Sequence, residues 1–180
     1  MQFKRAAALG VVAVLLCAPS FAATHAMVRS MSLGEISDGA DKVFRGKVLS
    51  IREGSIQAGG AELPTVTYSL LVADEFKGDY AMRKGDDTYV EITMLGSGKP
   101  SEIDGAIRVP AMPELPQLKV GEEYLLMTTR PSAIGLSTTV GLQQGCFHID
   151  AKTGMASNGA GWEPVAYSAL ATELRATLGQ

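Results

Sequence analysis

The chain has 180 residues, with 16 Lys and Arg against 19 Asp and Glu. That length holds one domain with a real core rather than two comfortable ones. The acidic balance excludes a surface built to neutralise phosphates, and so excludes nucleic acid as a partner.

Taken in order, the chain opens with Lys4 and Arg5, then an apolar run over residues 6–18, Pro19 and the small-residue site Ser20-Phe21-Ala22. This reads as an export signal over residues 1–22, cleaved after Ala22. The run is about thirteen residues, short of the roughly 20 of a permanent membrane helix, and nothing later is as apolar, so no membrane span is expected. A lipid anchor at Cys17 is disfavoured because Leu16 stands where such a signal wants a small residue. Without the leader, 14 basic residues face 19 acidic ones, a net charge of −5 over about 158 residues. Cys146 is then the only cysteine, so no internal disulfide can form and stability must come from packing. The expected compartment is the periplasm or the secreted medium.

Residues 23–31 show no period and read as an extended or mobile lead-in to a single domain over residues 32–180. Ser32-Leu33-Gly34-Glu35 has the spacing of a capping box and predicts a short helix through Ile36, stopped by Asp38-Gly39. Residues 40–79 read as a long antiparallel hairpin. In its second half Val66, Tyr68, Leu70 and Val72 alternate with polar residues. In its first half Phe44, Gly46 and Val48 share a face before the phase shifts, as a bulge near the glycine would cause. Residues 53–64 read as a polar loop between the halves.

Residues 80–87 read as a charged turn, and Val90, Ile92 and Met94 predict a third strand. Residues 96–121 show no stable period, and Pro100, Pro110, Pro113 and Pro116 argue against a helix or central strand there. A connection that long is a functional loop or a plug across one end of the fold. Residues 123–130 are apolar on both faces and read as a central fourth strand. Residues 134–142 read as a fifth, with a phase flip at Gly145 that puts Phe147 and Ile149 on one face and Cys146 and His148 on the other. Residues 150–154 form a turn. Residues 164–178 show helical spacing, with Val165, Leu170, Leu174 and Leu178 as the docking stripe, Pro164 in the first turn and Gly179 as the stop.

Together these elements predict a mainly β fold, a small antiparallel Greek-key barrel of the oligonucleotide/oligosaccharide-binding (OB-like) type with a short N-terminal and a C-terminal helix. The proline-rich loop stands where such barrels often carry a helix.

Candidate chemistry is sparse. Cys146 and His148 put a thiol and an imidazole on one strand face, as a base-activated nucleophile requires, but i and i+2 side chains stand roughly 6–7 Å apart. The structural alternative is a lone cysteine as apolar filler. With two histidines and one remaining cysteine, no metal site is expected and no cofactor is called for. The carboxylate groups Asp74-Glu75, Asp86-Asp87 and Glu122-Glu123 read as solvated strand ends. The most distinctive stretch is residues 105–113, where Arg108, Pro110 and Met112, followed by Glu114, suggest a pre-ordered contact surface.

Several fragments together resemble an uncharacterised family of secreted bacterial proteins: Ala40-Asp41-Lys42-Val43-Phe44-Arg45-Gly46-Lys47-Val48, Asp74-Glu75-Phe76-Lys77-Gly78-Asp79, Arg108-Val109-Pro110, Val120-Gly121-Glu122-Glu123-Tyr124-Leu125-Leu126 and Val140-Gly141-Leu142-Gln143-Gln144-Gly145-Cys146-Phe147. The resemblance spans about residues 33–150. It implies an exported β-rich domain and transfers no activity or site. The functional expectation is an exported non-enzymatic binding module, protein-binding or inhibitor-like through the 96–121 loop, with an exported protein as partner through Arg108, Pro110, Met112 and Glu114. The alternative is a thiol-dependent hydrolase using Cys146 and His148.

Overall fold

The structure is a computed structural model that describes residues 29–96, 101–103, 106–108 and 115–180. The expected export signal over residues 1–22, its expected cleavage after Ala22 and residues 23–28 of the expected lead-in lie outside the described residues. Residues 29–31 are tied down: the Met31 N–H donates to Gln144 Oε1 at 2.7 Å, and Gln144 Nε2 donates to the Arg29 carbonyl at 3.0 Å. A buried amide on a distant segment thus satisfies backbone groups of Arg29 and Met31 at the end of the lead-in.

Helix α1 runs Leu33–Gly39 and carries the full capping box. The Glu35 N–H donates to Ser32 Oγ, while the Ser32 N–H donates to Glu35 Oε2. That backbone bond, helped by Arg29, holds the Glu35 carboxyl down to about 2. Strands β1 (Lys42–Ala58) and β2 (Ala61–Lys77) form the long hairpin. The polar loop expected over residues 53–64 is instead ladder almost throughout, closed by Gly59-Gly60, both at positive φ. A Gly-Gly pair at positive φ is what a two-residue hairpin turn matched to strand twist demands. Glycine and polarity suggested a loop, but a two-stranded ribbon in water needs no apolar alternation.

The chain continues through β3 (Met82–Lys84) and β4 (Asp87–Leu95), a short hairpin in place of the expected charged turn. Tyr80, just before it, is buried, with its hydroxyl 2.8 Å from both the Val43 and Lys77 carbonyls. Strands β5 (Ser101–Ile103) and β6 (Ala106–Arg108) pair with each other inside the proline-rich region. Then come β7 (Glu123–Thr128), a 3-10 turn at Leu142–Gly145, β8 (Cys146–Ile149), β9 (Met155–Asn158), β10 (Val165–Ala166) and α2 (Tyr167–Thr177). The fifth strand expected at residues 134–142 is reduced to one bridge, Thr139 to Thr128, and a few loop bonds. Strand β9 was not anticipated; its Met155-Ala156-Ser157-Asn158 has almost no apolar alternation. The last helix begins at Tyr167 rather than Pro164, because Val165 and Ala166 first pair with β9. Gly179, at φ +74, ends it as expected.

The main sheet has eight antiparallel strands in the order β10-β9-β8-β7-β1-β2-β4-β3. It is open: among the described residues no strand pairing joins its two ends, so the closed OB-like barrel is not shown, while the mainly β class with two helices is. One face, with Val43, Phe76, Leu125, Met127, Phe147 and Ile149, packs against Leu33 and Ile36 of α1 and Leu170 and Leu174 of α2. The other face gathers Phe44 and Val48 of β1, Tyr68 and Leu70 of β2, Ile92 and Met94 of β4, Leu126 of β7 and Cys146 of β8 into one cluster. For strands on both sides of β1 to share that cluster, the sheet must curl around it. Three register shifts on β1, at 43/44, 45/46 and 48/50, supply the bend. Gly46 sits at the second of these shifts, where a Cβ would stand 3.1 Å from the Leu71 carbonyl oxygen.

A polar network locks α2 to the sheet. Arg45 donates to Glu123 and lies over the Tyr167 ring at 4.6 Å. The Tyr167 hydroxyl donates to Asp74 Oδ2, and Arg175 lies over the Phe76 ring. Asp74 and Glu123, read from the sequence as solvated, are therefore bound.

Gly145 makes the phase flip possible, since a Cβ there would lie 2.5 Å from the Val140 carbonyl oxygen and 3.0 Å from its nitrogen. Backbone cannot yield as a side chain can, so Gly145→Ala is expected to cost at least about 2 kcal/mol in urea unfolding. At the open turn, where Gly60 meets nothing within 4 Å but holds φ +80, Gly60→Ala is expected to cost about 1 kcal/mol. Because Gly145 does not hold a positive φ, a loss there no larger than at Gly60 would mean that the backbone around Val140 yields and crowding does not govern Gly145.

Candidate functional site

Strands β7 and β8 pair so that Tyr124 stands opposite His148 and Leu126 opposite Cys146. All four project from the face that the curled sheet encloses, because each strand sends alternate residues to one side. At the mouth of that face the Tyr124 and His148 rings sit 5.4 Å apart at a tilt of 58°. One residue pair further in, Cys146 is 6% exposed.

The third wall is the limb by which the proline-rich connection returns to the sheet, residues 115–122. Pro116 and Leu118 are buried. The Lys119 N–H donates to the Tyr124 hydroxyl at 3.2 Å, and the Gly121 N–H donates to the Val48 carbonyl at 2.8 Å. In turn the Tyr124 hydroxyl donates to Glu122 Oε2 at 2.8 Å, and that carboxylate also lies 3.4 Å from His148 Nε2. Lys119 Nζ is 3.9 Å from the other Glu122 oxygen. Burial, followed by the bond to Glu122, drives the Tyr124 phenol upward, so it stays a neutral donor. These groups line an open cleft of about 260 Å³, with Lys119, Glu122, Gln143 and His148 at its rim and Tyr124 and Cys146 beneath.

The arrangement can offer hydrogen bonds of both polarities and a half-exposed imidazole against a carboxylate. It does not present Cys146 as an activated thiol. Burial pushes the Cys146 thiol up to about 12, whereas a reactive cysteine needs a lowered value and a nearby positive charge. No hydrogen bond joins Cys146 to His148 among the described residues; the imidazole turns to Glu122 instead. Nor, among the described residues, does any group of three or more His, Cys, Asp or Glu side chains come together as a metal would require.

Of the residues singled out in the loop, Arg108 ends β6, in register with Ser101. Pro110, Met112 and Glu114 lie outside the described residues. Cys146 and His148 do share a face, as the phase flip implied. Glu122 and Tyr124 were missed: the carboxylate was read as solvated and the tyrosine as core filler. Their i, i+2 spacing across the strand start was the available signal, since it puts a phenol and a carboxylate on one face.

A second, mostly apolar cleft of about 360 Å³ lies between Leu95 of β4, Leu115 and the 129–142 segment. The Thr138 hydroxyl is buried beside it without a hydrogen-bond partner among the described residues.

Cys146 supplies a pH-linked test. Native chains keep the thiol proton up to about 12, while unfolded chains release it near the ordinary value of 9. Stability therefore falls as pH rises through that window, by about 1.4 kcal/mol per unit for one group. Denaturant unfolding at several alkaline pH values is expected to show a shallower decline in Cys146→Ala than in the parent. Alkylation by iodoacetamide at pH 7 is expected to proceed only at the rate of unfolding. Rapid labelling of the native chain would identify an activated thiolate instead. Compared with family models, curated proteins and solved structures, the chain matches none.

Proposed function

We propose that the chain is an exported, non-enzymatic binding module that takes a protein partner on the proline-rich connection and the limb by which it returns to the sheet. One observation carries this reading: the limb is anchored before any partner arrives. Leu118 is 3% exposed, and the Lys119 and Gly121 backbone amides are bonded to the sheet. A loop whose base is already held loses less conformational entropy on binding, and its exposed groups meet a partner in fixed positions. Export is supported by the basic-apolar-small pattern of residues 4–22. Contact by Arg108, Pro110, Met112 and Glu114 remains part of the proposal, with Lys119 and Glu122 extending the surface toward the cleft.

The same reading takes the curled sheet as an OB-type barrel. What supports closure is the Ser137 N–H, which donates to the Thr93 carbonyl of β4 at 2.8 Å, while on the other side the N–H of Thr129, just past β7, donates to the Thr138 carbonyl and the Val140 N–H donates to the Met127 carbonyl of β7, each at 2.8 Å. Residues 137–139 would then serve as the fifth strand, between the third and the fourth, which is the order such a barrel needs. Ridged by short segments rather than full ladders, such a closure leaves its mouth accessible.

Two measurements test these readings. Mature chain fixed to a support is expected to retain a saturable partner from the native exported fraction, and a Arg108→Ala, Met112→Ala, Glu114→Ala variant to lose it. Turnover of a substrate that vanishes on a single substitution would overturn the non-enzymatic reading. Amide hydrogen exchange is expected to protect the Ser137 N–H as strongly as neighbouring β4 amides; exchange at the rate of an exposed loop would leave the sheet open.

A further inference from the structure

The edges of the main sheet are defended unequally. Its outermost strands, β3 and β10, have three and two residues, and shortness is an ordinary protection against strand addition. β1 is an interior strand, yet it outruns its neighbour. β7 pairs with it only from Lys42 to Lys47, and Val48 exchanges bonds with Gly121 and Glu122. Over residues 49–58 the side of β1 away from β2 has no backbone partner among the described residues. No proline interrupts that stretch. Its backbone N–H and C=O groups stand ready to pair.

Apolar side chains collect at the same place. Leu49 is 43% exposed, Ile51 37% and Val120 59%. Leu49 is the extra residue of a bulge, since Val48 faces Leu70 and Ser50 faces Ser69. Val120 precedes the glycine whose N–H bonds Val48, which sets it beside this end of the edge. Beyond them come one positive and one negative side chain, Arg52 and Glu53, both exposed.

We propose that the open edge of β1, residues 49–58, is a strand-addition site for an extended peptide segment of another protein, with apolar side chains set against Leu49, Ile51 and Val120 and opposite charges set against Arg52 and Glu53. Added strands gain affinity from main-chain bonds and specificity from alternate side chains, and this edge offers both. A second copy of the chain fits poorly. Two antiparallel edges related by a two-fold axis place some residue opposite itself. Centring on Arg52 or on Glu53 sets like charges face to face, which is destabilising, and centring on Ile51 pairs only residues 49–53, setting Leu49 against Glu53 and leaving residues 54–58 without a partner because Val48 is already bonded to Gly121 and Glu122. Centring on Gly54 sets Leu49 against the Gly59 turn and leaves the apolar end uncovered. A different chain has no such constraint and can carry the complementary charge at each position. The inference is separable from the loop reading, because the residues varied to test it, 49 and 51–53, all belong to β1.

A library of random ten-residue peptides displayed on phage, selected against the purified mature chain, tests it. Selected peptides are expected to alternate apolar and polar residues. Their affinity is expected to fall about tenfold or more in the Leu49→Lys, Ile51→Lys variant. A second variant, Arg52→Glu with Glu53→Arg, is expected to prefer peptides with the charges exchanged. Leu49 and Ile51 are only partly exposed and Arg52 Nη2 lies 3.9 Å from Glu91 Oε1, so the urea midpoint of each variant is measured first and binding is compared under conditions where parent and variants are all folded. Hydrogen exchange is expected to show the alternate amides of residues 49–58 that point away from β2 protected only when peptide is bound, the others being held already by the ladder to β2. Three results would overturn the proposal: selection of no peptide, selected peptides that bind parent and both variants alike, or edge amides already protected in the free monomer. Concentration-dependent dimerisation abolished by the lysine variant would assign the edge to a second copy and overturn it as well.

Discussion

The fold depends on one constraint: β7 is apolar on both faces and must be covered on both. Leu125 and Met127 point to one side and Leu126 to the other, all fully buried, with Tyr124 nearly so. Each such side chain contributes about 1.5–3 kcal/mol when removed from water, so a structure that left either face open would forfeit most of what this strand offers. Helices α1 and α2 cover the first face. Among the described residues no helix covers the second, and the sheet covers it by bending on itself.

That bend explains features that otherwise look unrelated. The register shifts and Gly46 let β1 turn a corner while still pairing with β2 on one side and β7 on the other. Gly145 lets the chain come back against β7 after the 129–142 excursion, and Gln144 beside it satisfies the backbone of residues 29 and 31. Because the enclosed face is apolar and narrow, Cys146 behaves there as a small hydrophobe. The cleft chemistry is confined to the rim, where Glu122 gathers Tyr124, His148 and Lys119.

The rim and the open edge of β1 meet in residues 119–122. Lys119 and Glu122 face the cleft, Val120 flanks the edge, and Gly121 bonds to Val48. A binding surface placed there draws on strands and on a loop base held by main-chain bonds, which keeps it rigid without enlarging the core.

Local pattern determined much of this in the sequence itself. The capping box at Ser32 and Glu35, the alternation of β2 and β4, the double-faced β7, the Gly145 flip and the Leu170 and Leu174 stripe are all short-range signals, set by periods of 2 and 3.6 and by backbone rules that act within a few residues. Where the pattern was weak, only tertiary structure decided: the ribbon through residues 53–64, strand β9, and the bridge that replaces a fifth strand owe their form to what they pair with. The same holds for the candidate site. Glu122 and Glu123 are adjacent acids with nothing to tell them apart in sequence, yet strand alternation sends one to the cleft with Tyr124 and His148 and the other to Arg45 on the helix side. Which carboxylate meets which partner depends on strand register across residues far apart in the chain, and no local rule carries that information.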